Sequence, residues 1–378
     1  MLHLPGGLNE DKVAKGKRKT ARTLKPPRPR FEARPAEQLL VGALADMPAG
    51  SILCTSLGRG QFAVAAAQNR TGEVFCAFLD LYARNVAKKF LAEPCPNLRL
   101  ECLADFPDRE FDVFALPITA SGDAEFVRDM LQSGHQRLRV GGMMYVATDN
   151  RTDTWLHDEL RKLFSKVTRR ASERGTLYSA TKIEPLRKIK DFNCQFAFRD
   201  EGRLIQAISR PGVFSHRRVD GGARALMKAA QVQPGHRVLE LGCGSGVVSL
   251  ALALCGEEIQ VQAIDSNARA VECTRRGAEL NGISTISPQL STAEEDADEK
   301  VSDPAVDLVV ANPPYYSNYR IAEIFARRAA RVLRPNGTAL FVTKQTEWYE
   351  ETLPRLFSAV AVEPMGNYQI VRCFGKAR

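Results

Sequence analysis

At 378 residues the chain has room for two domains of ordinary size, each able to bury a core. Its net charge is +9, yet between Asp11 and Arg34 ten Lys or Arg stand against Asp11 and Glu32, which leaves +1 for everything else. The basic balance therefore belongs to an arm rather than to a globular surface, no run approaches the roughly 20 apolar residues of a membrane span, and nine cysteines of irregular spacing outline neither a zinc ribbon nor a disulfide framework.

The arm, residues 1–35, is interrupted by Pro26, Pro27 and Pro29 and is poor in apolar residues. It cannot offset its ordering entropy and is expected to be disordered and suited to polyanions, the plainer alternative being a solubilising terminus. It lacks the apolar core of a signal peptide, so a cytoplasmic, reducing location is expected. The stretch 36–185 begins with Ser51 to Gly60, SILCTSLGRG, a strand running into a glycine turn, and continues through Asp80, Phe111-Asp112-Val113 and Leu138 to Gly142. Residues 186–215 contain a hairpin signal, Cys194 to Phe198 and Leu204 to Ile208 about Asp200-Glu201-Gly202, and then a linker from Arg210 to Ser215.

In 216–378, strand-like and helix-like segments alternate: Val238 to Leu241 then Val247 to Cys255, Val261 to Ile264 then Asn267 to Asn281, Val306 to Ala311 then Ile321 to Leu333, and Ala339 to Thr343 then Thr346 to Phe357. Alternation of this kind calls for a parallel sheet covered by helices. Gly282 suits a left-handed helix cap, and Pro335-Asn336-Gly337 suits a turn before the next strand. The chain closes with Val360 to Glu363, a tight Pro364 to Asn367 connection, and Tyr368 to Phe374, which must run antiparallel. A mostly parallel seven-stranded sheet with a reversed last strand resembles the class I methyltransferases.

The two halves are copies of one plan. SILCTSLGRG lies over Arg237 to Gly246, RVLELGCGSG, at an offset of 186; Asp80 and Ala83-Arg84 match Asp265 and Ala268-Arg269; two further matches follow at offset 195. Four matches in one order indicate an internal duplication. The first copy has lost the residues that chemistry would need. Cys54 and Ser56 replace Glu240 and Gly242, and Pro117, Ile118, Thr119 and Ala120 stand opposite Asn312, Pro313, Pro314 and Tyr315.

In the second copy the glycines alternate at 242, 244 and 246 rather than following the spacing of a pyrophosphate site. That suits a cofactor without phosphates, with Glu240 placed to attract a cationic amino group and Asp265 to take ribose hydroxyls. A ligand-free packing turn and a dinucleotide site are the alternatives. Asn312 and the Pro313 carbonyl could accept both N–H bonds of a planar amine, Pro313 and Pro314 stiffen the loop, and Tyr315 offers a ring for a base to stack on. Five histidines of unrelated spacing give no support for a metal.

The degenerate first copy, the PGVFS linker with Asp220-Gly221-Gly222 after it, ELGCGSG and NPPY together resemble the two-domain ribosomal RNA guanine-N2 methyltransferases of bacteria, over about residues 36 to 376. The resemblance implies two tandem Rossmann-like domains. It also implies S-adenosyl-L-methionine held by Glu240, Gly242, Gly244 and Asp265, with guanine held by Asn312, Pro313, Pro314 and Tyr315; Cys243, Gly246, Ser266 and Asn312 are read as further cofactor contacts, and Ser291 or Thr292 as the adenine partner. Ribosomal RNA or a ribosomal subunit is the implied partner, the arm assisting, for a monomeric enzyme with no membrane association. That family commonly shows Phe then His after the prolines, where Tyr315 and Tyr316 stand here. A protein glutamine N5-methyltransferase shares NPPY but usually carries a small helical companion domain, and a non-catalytic RNA-binding or ribosome-assembly protein would be eroded in both copies.

Overall fold

The computed structural model describes residues 33–89, 91, 95–294, 305–314 and 318–375. The arm up to residue 32, Tyr315 and Tyr316 lie outside the described residues. The first domain opens with helix α1 (Pro35–Gly42) and carries β1 (Ile52–Thr55), α2 (Gln61–Asn69), β2 (Val74–Phe78), α3 (Leu81–Lys89), β3 (Leu98–Cys102), β4 (Phe111–Ile118), α4 (Ala124–Arg137), β5 (Leu138–Thr148), α5 (Trp155–Arg161), β6 (Thr168–Ser172) and β7 (Gly175–Thr181). A two-stranded hairpin, β8 (Cys194–Asp200) and β9 (Arg203–Ser209), follows. The second domain repeats the order: α6 (Gly221–Ala229), β10 (Arg237–Leu241), α7 (Val247–Ala253), β11 (Gln260–Asp265), α8 (Ala268–Leu280), β12 (Ile286–Leu290), β13 (Val306–Ala311), α9 (Arg320–Val332), β14 (Leu333–Thr343), α10 (Glu347–Thr352), β15 (Ala359–Met365) and β16 (Tyr368–Phe374).

The sheet orders are β3-β2-β1-β4-β5-β7-β6 and β12-β11-β10-β13-β14-β16-β15, the same order twice. In each, the last strand in sequence is antiparallel and lodges between two strands that run with the rest. The central strands are mainly apolar, as strands covered on both faces must be, with Glu240 of β10 a buried exception; Val309, Val310 and Ala311 are wholly buried.

Three local expectations are revised. Pro335-Asn336-Gly337 does not precede β14 but lies inside it, in a bulge where the register jumps from Val306↔Leu333 to Leu308↔Thr338. The last helix is shorter than Thr346 to Phe357, because the α-helix stops at Thr352 and Leu353–Arg355, containing Pro354, is a 3-10 turn. The closing hairpin turns on Gly366 and Asn367 alone, since Met365 pairs with Tyr368.

The hairpin belongs to the packing of the second domain. Phe198, Ile205 and Ala207 share its core, and Asn281 at the end of α8 bonds the main chain of Gln206 in both directions.

The two domains meet through equivalent turns. Leu81 N–H donates to the Ser266 carbonyl at 2.7 Å and Ala268 N–H to the Leu79 carbonyl at 2.8 Å, about an antiparallel bridge between Asp80 and Asn267. With Asp80 matched to Asp265, Leu81 and Ser266 are equivalent positions, so the same turn of each domain meets the other across the seam. Beside it Arg269, 1% exposed, reaches into the first domain, paired with Asp129 at 2.7 Å and donating to the carbonyls of Ala104 and Pro211. Arg210 adds bonds to Asp105 and Glu272, and Arg217 pairs with Glu125.

Removing one partner of a buried pair leaves the other charge without compensation, at about 3–5 kcal/mol, whereas replacing both with apolar groups is often neutral. Arg269→Met is accordingly expected to lower the free energy of urea unfolding by about that amount, and the double variant Arg269→Met with Asp129→Leu to recover most of it. An equal loss in single and double variants would assign the effect to the carbonyl contacts instead.

Candidate active site

Strand β10 delivers Glu240 and then the glycine turn to the carboxyl edge of the second sheet, where open α/β folds bind ligands. Gly242, Gly244 and Gly246 all have positive φ, at +77°, +56° and +76°. A side chain at Gly246 would collide with Thr274, whose hydroxyl oxygen would be 2.7 Å from the added carbon, while the space over Gly244 is open.

Asp265 ends β11 with its carboxylate fixed by Gly244 N–H at 2.9 Å and Asn267 N–H at 2.8 Å. The same side chain therefore holds both the glycine turn and the main chain of Asn267, whose own side chain caps α8. Burial raises its pKa to about 6 against the pull of those two amides. Glu240 is buried, and one of its oxygens accepts from both the N–H (2.9 Å) and the hydroxyl of Ser249 on α7. Burial dominates those bonds and pushes its pKa up to about 8.

Among the other residues, Cys243 is buried against Thr274, whose hydroxyl donates to its sulfur at 3.3 Å, and burial holds its thiol well above the usual range. Ser266 turns its hydroxyl away, onto Asp80 of the first domain at 2.5 Å. Ser291, also buried, follows β12: its N–H donates to the Asp265 carbonyl at 3.0 Å, and its hydroxyl accepts from Ala293 N–H at 3.2 Å.

β13 lies directly beside β10, so Asn312 and the buried Pro313 emerge at the same sheet edge as the glycine turn. The structure thus brings Glu240, the glycines, Asp265, Ser291 and Asn312 to one edge. Tyr315 is outside the described residues.

Two features escaped the sequence. Asp220, which entered there only as part of the Asp220-Gly221-Gly222 motif, caps α6 by accepting from Gly222 N–H at 2.8 Å and also accepts from the Asn312 side-chain amide at 3.0 Å. Tyr319 stacks on Trp348 with ring centres 5.2 Å apart and planes 4° from parallel, and its hydroxyl donates to Gln345. No pattern in the sequence joins residues on two different loops.

In the first domain the corresponding turn is filled by its own side chains. Ser56, opposite Gly242, accepts from Gly58 and Gly60 N–H at 3.0 and 2.9 Å and donates to Glu37, which also accepts from Leu57 N–H at 2.7 Å. Glu37 comes from α1, the counterpart of α6. What remains at that edge is a cavity of about 230 Å³, lined mainly by apolar groups such as Leu57, Phe78, Leu116 and Ile118 and bordered by Arg269.

A family model described as the methyltransferase small domain matches residues 205–372. The match covers the second domain together with the hairpin strand β9 that packs on it. The matched region is preceded by a domain with the same strand order. In solved structures the same two-domain arrangement occurs in the 16S rRNA N2-guanine methyltransferase of T. thermophilus, determined with AdoMet and guanosine, at TM-score 0.74 and 21% identity over 90% of this chain and 92% of that one. Curated relatives called ribosomal RNA small subunit methyltransferase C include those of Hahella chejuensis, 28% identical over 52% of this chain and 62% of the relative, and Alcanivorax borkumensis, 34% identical over 42% and 48%. The matched region spans from about half to under two thirds of the length of these two relatives. Among the described residues no helix is long and apolar enough to cross a membrane.

The two raised carboxyl groups fix a pH dependence. Each binds its proton more tightly folded than unfolded, so its contribution to stability is full below the unfolded value near 4 and is lost as pH rises through about 6 for Asp265 and about 8 for Glu240. The melting temperature of the ligand-free protein is expected to fall between pH 5 and 8 on this account. Glu240→Gln, uncharged throughout, should flatten the upper part of that fall in calorimetry and leave the Asp265 part below pH ~6.5. An unaltered slope would remove Glu240 as its source.

Proposed function

We propose that this chain transfers a methyl group from S-adenosylmethionine to the exocyclic N2 amine of a guanosine in ribosomal RNA. The observation that carries this reading is the placement of Asn312 and Pro313 at the end of β13, one strand from a glycine turn held by Asp265.

The chemistry of this edge fits the cofactor. The open space over Gly244 gives it a cradle, and the filled turn of the first domain shows what the same backbone does when no ligand is accommodated. Gly242, Cys243, Gly244 and Gly246 would form its floor, Glu240 would face its cationic amino group, Asp265 its ribose hydroxyls, and Ser291 its adenine. Ser266 would act by tying the turn to Asp80 rather than by touching the ligand. When bound, S-adenosylmethionine supplies an electrophilic methyl group.

The chain's own residues then orient the acceptor. An aromatic amine is planar because its lone pair is delocalised into the ring. Accepting both of its N–H bonds at Asn312 Oδ1 and the Pro313 carbonyl holds the nitrogen and draws the lone pair out of conjugation. Correct placement alone can supply up to roughly 7–11 kcal/mol. The base is presented outside a helix stack, by flipping or within a loop, with Tyr315 as its stacking partner. The relatives' names, the fold shared with a methyltransferase determined with AdoMet and guanosine, and the basic arm all support RNA as the substrate. A single chain, with the first domain docking RNA and residues 1–35 adding non-specific attraction to phosphates, completes the proposal.

Asn312→Ala is expected to lower methyl incorporation into small-subunit rRNA by about 100-fold, the scale of losing one preorganised polar contact in an active site, with an unchanged melting temperature. Wild-type turnover in that variant would overturn the assignment. Deleting residues 1–34 should weaken RNA binding and make the slope of log affinity against log salt shallower, because fewer counterions are released; an identical slope would leave the arm without a role in binding.

A further inference from the structure

The NH2 end of Asn312 is already taken. Its Nδ2 donates to Asp220 Oδ2 at 3.0 Å, the same oxygen that accepts from Gly222 N–H at 2.8 Å as the cap of α6. A carboxylate offers only acceptors, so Asp220 can face one end of the carboxamide and not the other. We infer that Asp220 is a positioning residue that locks the flip state of Asn312, so that Oδ1, the acceptor, faces the substrate amine. The inference rests on the function proposed above and deepens it.

An unconstrained carboxamide has two orientations that differ only by exchange of O and NH2. In the wrong one, an N–H group opposes the N–H bonds of the incoming amine and the acceptor function is gone. Asp220 removes that state, and by drawing on the NH2 group it also leaves more negative charge on Oδ1, where the amine's hydrogens become more positive as the nitrogen is alkylated.

Gly222 makes the contact possible. A Cβ at this position would lie 2.9 Å from Asn312 Nδ2, 3.1 Å from Oδ1 and 2.8 Å from the Asp220 carboxylate. The residue sits in the first turn of α6 with ordinary helical backbone, so it is not needed for a left-handed conformation. Its absent side chain is the space the carboxamide uses. The first domain lacks the whole device: α1 begins Pro35-Ala36-Glu37 where α6 begins Gly221-Gly222-Ala223, and Pro117 stands in place of Asn312.

The test combines three variants of the full chain with methyl transfer to rRNA and thermal melting. Asp220→Ser and Asp220→Asn keep a residue type that caps helices but not an acceptor-only partner. Each is expected to lower kcat by about 10- to 100-fold, the cost seen when a group that orients a metal ligand is lost, with KM for the cofactor within about twofold, the split of an interaction felt in the transition state. Gly222→Ala separates positioning from folding, because the better helix propensity of alanine offsets a displaced cap of similar energy: its melting temperature should stay within a few degrees of wild type while turnover is lost. In an Asn312→Ala background, Asp220→Ser should cost less than about twofold, since the group it orients is gone. Wild-type kcat in Asp220→Asn and Gly222→Ala, or an undiminished loss from Asp220→Ser without Asn312, would overturn the inference. Failure of the wild-type chain to methylate guanosine would instead overturn the function on which it rests.

Discussion

The turn from Ile264 to Ala268 is clamped from two sides, and the rest of the active edge takes its geometry from it. From within the second domain, the Asp265 carboxylate receives the amides of Gly244 and Asn267, while the Ile264 carbonyl receives those of Gly242 and Cys243. From the first domain come Leu81 N–H on the Ser266 carbonyl and Asp80 on the Ser266 hydroxyl. A buried carboxylate that burial holds near pKa 6 would swing toward water if its surroundings allowed it. Here the amides of Gly244 and Asn267 on its oxygens, and the first-domain contacts at Ser266 next to it, deny that movement. The first domain is in this sense a structural component of the ligand edge, even though it contributes none of the residues assigned to substrate or cofactor.

The two copies show how one backbone takes opposite uses. In each, a helix precedes the first strand and its amino-terminal turn abuts the sheet edge. In α1 that turn projects Glu37 into the glycine loop, where it and Ser56 take up amides that face the loop interior. In α6 the corresponding turn carries Gly222, and the polar group just before it, Asp220, reaches Asn312 instead. Filling the first loop satisfies its own main chain from within the domain. The cavity of about 230 Å³ that persists there is bordered by Arg269, whose guanidinium is itself held by Asp129 and two carbonyls.

Much of this could be read in the chain. The hydrophobic alternation around Val238, Val261 and Val306, the glycines at 242, 244 and 246, and the repeated Asp and Ala-Arg pattern at 80 and 265 gave the sheet, its order of elements and the duplication. Apolar strands and glycine turns are local signals, and local signals survive in one dimension. The helix after Thr346 was overextended because apolar periodicity continues past Pro354, and the turn at Pro335 was misplaced because a bulge and a turn use the same residues. Nothing in the sequence joins Asp220 to Asn312, since that partner lies 92 positions away.

By itself, then, the sequence determined the fold of each domain and which of its motifs end at the carboxyl edge of the second sheet, because burial pattern, turn chemistry and the tandem copy are written in neighbouring residues. Tertiary structure alone decided how those residues are aimed. The orientation of the Asn312 carboxamide, the diversion of Ser266 to Asp80, the raised carboxyls of Glu240 and Asp265, and the burial of Arg269 between the domains all depend on groups brought together across the chain. Hydrogen bonds and desolvation act over a few ångströms of space, and no spacing in the sequence records those distances.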